Sequence, residues 1–223
     1  MNKLHRNRSA AFWREGASHL WLAFGSFAAA MLAGVPLGIA LTRRAGARGP
    51  VLGLLTMLQT IPSMALFGML IVPLGWLAAN LPAAHALGIR GIGAAPAFVA
   101  LFLYSLLPIV ANTVAGITGV PRSVTEAADG MGLTRRQRLF HVDVPLALPV
   151  IITAARIVLV QNIGMATVGA LIGAGGFGTF VFQGIGQTAT DLILLGALPT
   201  VALAFATSSV MDALIGMLPG GAR

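Results

Sequence analysis

The sequence has no cysteine, and lysine, histidine and acidic residues are scarce. The absence of cysteine excludes disulfides, thiolate metal sites and a cysteine nucleophile, but it leaves the redox compartment undecided. Lys3 is the only lysine, so no Gly-x-x-x-x-Gly-Lys phosphate loop exists and any ATP hydrolysis must come from a partner. The histidines are never paired at i, i+4, and the carboxylates Asp191 and Asp212 lie near opposite ends of one apolar segment. We therefore expect no catalytic residue, no metal site and no cofactor bound by this chain.

Apolar residues dominate what is present. Over 223 residues, 57% are hydrophobic and only 9% are charged, and the mean hydropathy is +0.89. These values indicate an all-α, polytopic membrane protein. The net charge of +8 does not indicate a nucleic-acid partner, because the basic residues cluster in connecting segments, as they do in cytoplasmic loops. The basic N-terminus resembles a secretory signal, but the apolar run 20–41 is too long for a signal core and is interpreted as the first span.

Five segments are long and apolar enough to cross the membrane as helices of about 20 residues. The second contains Pro62, which would divide it into two short halves. Residues 50–61 would reach only about 18 Å, so a single kinked helix is preferred over a six-span alternative. The predicted spans cover residues 20–41, 50–79, 94–118, 145–172 and 191–218.

The distribution of basic residues predicts the orientation and the domain limits. With the N-terminus outside, eight arginines lie inside against five basic residues outside, whereas six spans with the N-terminus inside would give nine against four. We predict five spans with the N-terminus outside. The chain then divides into a basic tail 1–19, a transmembrane domain 20–218 with a long inner loop 121–145, and a short tail 219–223.

The loop 121–145 carries the start and stop signals of two short helices. Ser123 with Glu126, and Thr134 with Gln137, have the spacing of capping boxes, in which each side chain satisfies a free backbone N–H. Gly132 lies between them, where a left-handed residue would end the first helix.

The first of these short helices has one narrow apolar stripe of mostly small side chains. Val124, Ala127, Ala128 and Met131 fall at i, i+3, i+4 and i+7. Such a face suits docking into a groove on another protein, and the alternative is a helix that lies on the membrane surface. A DNA-binding helix-turn-helix is disfavoured, because the segment lies between membrane spans with no supporting soluble domain.

The same loop carries a motif. Glu126-Ala-Ala, three residues, Gly132, nine residues, then Val142-Asp-Val-Pro145 resembles the EAA loop of binding-protein-dependent ABC importer permeases. The family pattern has Ile and Leu where this chain has valine. The resemblance implies a cytoplasmic coupling helix inserted in a cleft of a separate ATPase subunit. It assigns ATPase coupling to Glu126, Ala127, Ala128, Gly132, Val142, Val144 and Pro145.

The resemblance also implies an assembly and a mechanism. The chain would have the type I ABC importer permease fold, similar to the methionine permease, in the bacterial inner membrane. Its partners would be two ATPase subunits that bind ATP, a second permease copy or sibling, an external solute-binding protein and membrane lipid. Transport would proceed by alternating access, which ATP-driven closure of the ATPase pair powers.

Two further stretches resemble the osmoprotectant branch of this family. Leu58-Gln-Thr-Ile-Pro-Ser63 resembles its Gln-Thr-Ile-Pro-Ser segment, and residues 101–113 resemble its next helix. That branch imports glycine betaine, choline, carnitine and related quaternary amines. Aromatic cages on the binding protein recognise such cations, so the single tyrosine here is no objection. The alternatives are an importer of another small solute such as methionine, or an ATP-independent channel or membrane enzyme.

Polar residues within the spans are costly in lipid and should face protein or water. Gln59, Asn112, Gln161 and Asn162 are candidates for a water-filled translocation path, with interhelical hydrogen bonding as the alternative. Arg156 lies about 16 Å beyond Pro145 along a helix axis, near mid-membrane, and needs a partner.

Two local features are interpreted structurally. Residues 173–178 have the letters of a dinucleotide fingerprint, but the strand context is missing, so the glycines are predicted to end the fourth span and let the chain fold back. This run also resembles a stretch after the fourth core helix of the permease family. Asp143 is interpreted as favouring the positive end of the helix that follows.

Overall fold

The computed structural model describes residues 2–86 and 88–217, and these form helices with no strand among them. The side chains of residues 2–8 and of His85 lie outside this description, as does the proposed tail 219–223. The helices are α1 (Asn2–Leu20), α2 (Ser26–Arg43), α3 (Ala45–Thr60), α4 (Ser63–Asn80), α5 (Pro82–Ala86), α6 (Ala94–Thr118), α7 (Arg122–Gly130), α8 (Arg135–Arg138), α9 (Val144–Gly169), α10 (Gly178–Gln187) and α11 (Thr190–Gly216).

Five helical stretches among the described residues are long and apolar enough to span a membrane, which confirms the predicted all-α fold class. We number them one to five. They are Ser9–Arg43, Ser63–Asn80, Ala94–Thr118, Arg135–Ile172 and Thr190–Gly216.

The first span begins earlier than the hydropathy predicted. A π-helical turn, Trp21–Gly25, joins α1 to α2 without a break, so the predicted boundary between tail and membrane domain falls inside a continuous helix. Glu15 and His19 of α1 are buried, although the surrounding residues have the composition of a polar tail. Hydropathy missed this packing because the burial depends on a loop more than 150 residues away.

The prediction of one long kinked helix over residues 50–79 is wrong, because the chain forms two separate helices there. Ile61 and Pro62 are both extended, with ψ of 126° and 137°. Pro62 lacks an N–H and disfavours the α conformation at the residue before it, so α3 ends at Thr60. At 16 residues α3 is too short to count as a span, and α4 alone forms span two.

Helix α6 lies at the centre of the bundle and packs closely against α2. A Cβ on Gly34 would come within 2.8 Å of a methyl carbon of Ile109, and a Cβ on Gly38 within 2.6 Å of the Cβ of Thr113. Small residues four apart on α2 therefore allow the two helices to approach.

Span four ends in a glycine-rich loop, residues 173–178, that we call the glycine loop. Gly173, Gly175 and Gly176 have φ of 78°, 78° and 89°, a conformation that favours glycine. The loop folds back so that Gly178 lies against the carbonyl of Thr167, where a Cβ would approach within 2.0 Å. The prediction that these glycines end span four and reverse the chain is confirmed.

Candidate functional site

Helix α7 is the short helix of the inner loop, and it begins two residues before the predicted start. Pro121 is its N-terminal flanking residue, and the Pro121 carbonyl accepts from the N–H groups of Val124 and Thr125. The capping box predicted for Ser123 and Glu126 is therefore wrong. Glu126 instead forms an exposed ion pair of 3.5 Å with Arg122, one helical turn earlier.

The second capping box is confirmed at Thr134 and Gln137. The backbone N–H of Thr134 donates to Gln137 Oε1 at 2.9 Å, and the N–H of Gln137 donates to Thr134 Oγ1 at 3.3 Å. Gly132, before this box, has φ of 79° and open space where a Cβ would stand. Backbone conformation, not crowding, therefore favours glycine at this position.

The apolar stripe of α7 divides between two surfaces. Ala128 is buried against the rest of the chain, and its carbonyl accepts from the N–H of Leu133. Val124, Ala127 and Met131 are exposed. Glu126 is also exposed, on another side of the helix, and we call these four exposed residues the docking face.

The end of the motif lies within a helix, not at the start of one. Residues Arg135–Ile172 form one continuous helical stretch, so the prediction that the fourth long helix begins at Pro145 is wrong. Pro145 lacks the N–H that would bond the carbonyl of His141, and its ring presses on that turn. The preceding turn, Leu139–Asp143, is accordingly a wider π-helical turn, which places half-buried Val142 and Val144 on either side of buried Asp143.

Arg138 connects the docking helix to span four. Its Nη1 donates to Asp129 Oδ2 of α7 at 2.6 Å, and its Nε lies 3.5 Å from Asp143 Oδ2 as an ion pair without an aligned hydrogen bond. We call these three residues the arginine brace. Asp143 is in the interior of the helix, so the prediction that it favours the positive end of a helix start is wrong.

A cleft of about 1020 Å³ opens beside the brace. It lies between the ends of α2 and α6 and the loop helices, and arginines outnumber acidic residues along it. Its charged lining consists of Arg43, Arg122, Asp129, Arg135, Arg138 and Asp143.

Gln59, a candidate for the translocation path, secures the break between α3 and α4. Pro108 cannot donate to the carbonyl of Tyr104, so that carbonyl is free, and Gln59 Nε2 donates to it at 2.8 Å. In return, the Tyr104 hydroxyl donates to the carbonyl of Ile61 at the break. Two prolines thus leave two backbone carbonyls free, and each is satisfied by a side chain of the opposite helix.

Asn162 connects three spans within the core. It is 1% exposed; its Nδ2 donates to Ser26 Oγ at 3.1 Å and its Oδ1 accepts from Ser105 Oγ at 3.1 Å. These contacts agree with the alternative prediction for Asn162, in which its side chain forms hydrogen bonds between helices. Its place on a translocation path stays a prediction.

The two remaining path candidates have only local contacts. Asn112 is half-buried and donates to the carbonyl of Pro108 in its own helix at 2.8 Å. Gln161 is exposed and approaches Met165 Sδ at 3.5 Å. None of the four candidates lines the cleft beside the arginine brace.

Arg156, which the sequence predicts to lie near mid-membrane and to need a partner, forms an ion pair. Its Nη1 forms an ion pair with Asp212 Oδ1 of α11, and both side chains keep partial exposure. The sequence indicated that Arg156 needed a partner, but the pairing of spans four and five is decided by the fold.

Comparisons with known proteins agree on one family. Residues 30–220 match the model described as binding-protein-dependent transport system inner membrane component. The chain is 41% identical over 206 residues to the osmoprotectant import permease protein OsmW of Salmonella typhimurium, covering 92% of this chain and 91% of that protein. It is 34% identical over 211 residues to the glycine betaine/carnitine/choline transport system permease protein OpuCB of Bacillus subtilis, with 95% and 89% covered.

A solved structure shares the fold. The crystal structure described as inward facing conformations of the MetNI methionine ABC transporter superposes with a TM-score of 0.82. It covers 98% of this chain and 100% of that chain at 22% sequence identity.

Proposed function

The chain belongs to the binding-protein-dependent transport system inner membrane components, and on this premise we propose that it is the permease subunit of an ATP-driven importer of quaternary-amine osmoprotectants. It is a multi-pass inner-membrane protein with the type I ABC permease fold. The solutes proposed are glycine betaine, choline and carnitine.

The observation that carries the substrate class is the agreement among relatives. OsmW, OpuCB and the choline transport system permease protein OpuBB are each aligned over more than four fifths of this chain. All three names specify osmoprotectants or quaternary amines. The methionine transporter is similar at an identity that supports the fold alone.

The docking face supports coupling to an ATPase. It combines small apolar side chains with Glu126, which suits insertion into a groove on another protein. The ATP is held by that partner. The arginine brace then conveys motion of α7 to span four, because Arg138 contacts α7 and the buried base of span four at once.

Spans two and five support a second permease copy beside this one. Both are apolar, and few of their residues are fully buried within the single chain. Lipid or a second copy would cover them, and the translocation path would lie where two bundles meet. Alternating access follows when the two coupling loops approach and separate with the ATPases.

Reconstitution tests this function directly. The complex of this chain with its ATPase and solute-binding protein is placed in liposomes, and uptake of labelled glycine betaine, choline, carnitine and methionine is measured with ATP inside. We expect ATP-dependent uptake of the three quaternary amines and none of methionine. ATP-independent flux through the purified chain would support the channel alternative instead.

One substitution tests the docking face. Glu126→Lys reverses the charge of an exposed residue, so we expect weaker co-purification of the ATPase and loss of uptake, while the permease still folds. Ser123→Ala, an exposed neighbour on the same helix, is the matched control and should retain both. Unchanged uptake in Glu126→Lys would remove the coupling role from this residue.

A further inference from the structure

The N-terminal helix holds the glycine loop through one face, formed by Phe12, Glu15 and His19, which we call the clasp. Glu15 Oε2 accepts from the backbone N–H of Gly176 at 2.9 Å and from the Thr179 hydroxyl at 3.3 Å. The ring of Phe177 lies 5.4 Å from that of Phe12 and 5.1 Å from that of His19. Residues at i, i+3 and i+7 of α1 thus contact one short segment.

The loop backbone lies directly on the clasp. A Cβ on Gly175 would come within 2.9 Å of Glu15 Oε2, and a Cβ on Gly176 within 3.1 Å of His19 Nδ1. The N–H of Gly176 is satisfied by Glu15, since this left-handed stretch has no helical partner for it. The position of the loop therefore depends on this carboxylate.

The chemistry of Glu15 suits a contact that can open. Its side chain is only 11% exposed, and its other oxygen faces Arg14, which is 77% exposed, at 3.2 Å. Charge-assisted hydrogen bonds are strong, but a carboxylate regains hydration when it is released to water. The desolvation cost offsets part of the bonding, so the closed and open arrangements differ less in free energy than the contacts alone suggest.

The clasp is at the opposite end of span four from the arginine brace. Because span four is one continuous helix from Arg135 to Ile172, displacement of its brace end acts on the glycine loop. We propose that Glu15 is a positioning residue that holds the glycine loop closed over the outer end of the bundle, and that the clasp opens in each transport cycle. The inference rests on the proposed function, which makes the brace end cytoplasmic.

A substitution series in the reconstituted complex tests the role of Glu15. In Glu15→Ala we expect ATPase activity without binding protein to rise about fivefold, with little further stimulation by loaded binding protein, because the closed state is no longer held. Glu15→Gln keeps an acceptor for Gly176 and should lie near wild type. Ala17→Gln, which changes an exposed residue of the same helix, is the control. If ATPase activity without binding protein and ATPase activity with loaded binding protein both fall in proportion to the yield of folded complex, Glu15 has only a structural role and the proposal is overturned.

A cysteine pair tests whether the clasp opens. The chain has no cysteine, and a Cβ at Gly175 would lie 3.5 Å from that of Ser18, within the span of about 3.5–4.5 Å that a disulfide needs. In the variant with Ser18→Cys and Gly175→Cys, the strain at the left-handed position and the 2.9 Å approach of the new Cβ to Glu15 Oε2 are common to the oxidised and reduced protein. Oxidation should abolish uptake, and a reductant should restore it.

The outcomes separate the two proposals. Equal uptake in the oxidised and reduced forms would refute opening of the clasp, and failure of the disulfide to form, measured by thiol labelling, would refute the contact itself. If the wild-type complex shows no ATP-dependent uptake, the proposed function fails. If wild type transports and the variants do not differ from it, only the clasp fails.

Discussion

The arginine brace allows the sharpest test of how α7 is joined to span four. Arg138→Gln removes the cation between two carboxylates, one of them 53% exposed and the other 9%. An exposed pair is worth about 0.2–1 kcal/mol, whereas removing one partner of a buried pair costs about 3–5 kcal/mol. Because the Arg138 side chain keeps 29% exposure, we expect an intermediate loss of about 2 kcal/mol in unfolding free energy.

A double-mutant cycle identifies the source of that loss. Most of the cost comes from Asp143, a buried carboxylate left without its cation, so adding Asp143→Asn to Arg138→Gln should recover about 1 kcal/mol. Asp129→Asn alone breaks only the exposed half and should cost less than about 1 kcal/mol. Its effect should fall on function, as fewer solute molecules transported per ATP hydrolysed.

Denaturant or thermal unfolding in detergent, followed by the fluorescence of the three tryptophans, measures the stability terms. Uptake and ATPase activity in the same liposomes measure the transport ratio. Strict additivity of Arg138→Gln and Asp143→Asn would mean that the two side chains do not interact, and the brace would have to be abandoned. An unchanged transport ratio in Asp129→Asn would show that α7 moves span four by another route.

Three further predictions concern the contacts between spans. Gln59→Leu should lower the free energy of unfolding by about 1 kcal/mol, because it leaves the Tyr104 carbonyl unsatisfied. In a Pro108→Ala background the alanine supplies the missing N–H, so this cost should vanish. An equal cost in both backgrounds would contradict the account. Asn162→Leu should lower the free energy of unfolding by about 1–2 kcal/mol, because two interhelical hydrogen bonds are lost, and should leave the KM for solute unchanged. A shifted KM at normal stability would instead place Asn162 on the translocation path. Arg156→Met should sharply lower the yield of folded protein by stranding Asp212, and the double variant with Asp212→Leu should recover it; no recovery would argue against the pairing.

Helix ends show where local reasoning works and where it fails. The capping box at Thr134 and Gln137 formed as predicted, because nothing upstream competes for those backbone groups. The similar pair at Ser123 and Glu126 did not form. Pro121, with its fixed φ, starts α7 earlier, so Ser123 falls within the first turn. A neighbouring residue with a stronger conformational constraint decided the outcome.

The second span shows a different failure. The sequence indicates that Pro62 disturbs the helix, but within residues 50–79 only the lengths of the two halves bear on whether the helix kinks or breaks. The break is stabilised by the Tyr104 hydroxyl, which satisfies the Ile61 carbonyl from a residue 43 positions away. No property of residues 50–79 carries that information.

The sequence by itself determined the membrane class, the all-helical fold, the family motif at Glu126 to Pro145 and the need of Arg156 for a partner. These follow from composition, from hydropathy and from residues a few positions apart, whose physical consequences are local. The tertiary structure alone decided that Asp143 pairs with Arg138, that Asn162 joins three spans, and that Glu15 of a basic N-terminal stretch holds the glycine loop. A buried polar group must find a partner, but which partner it meets depends on how the helices pack.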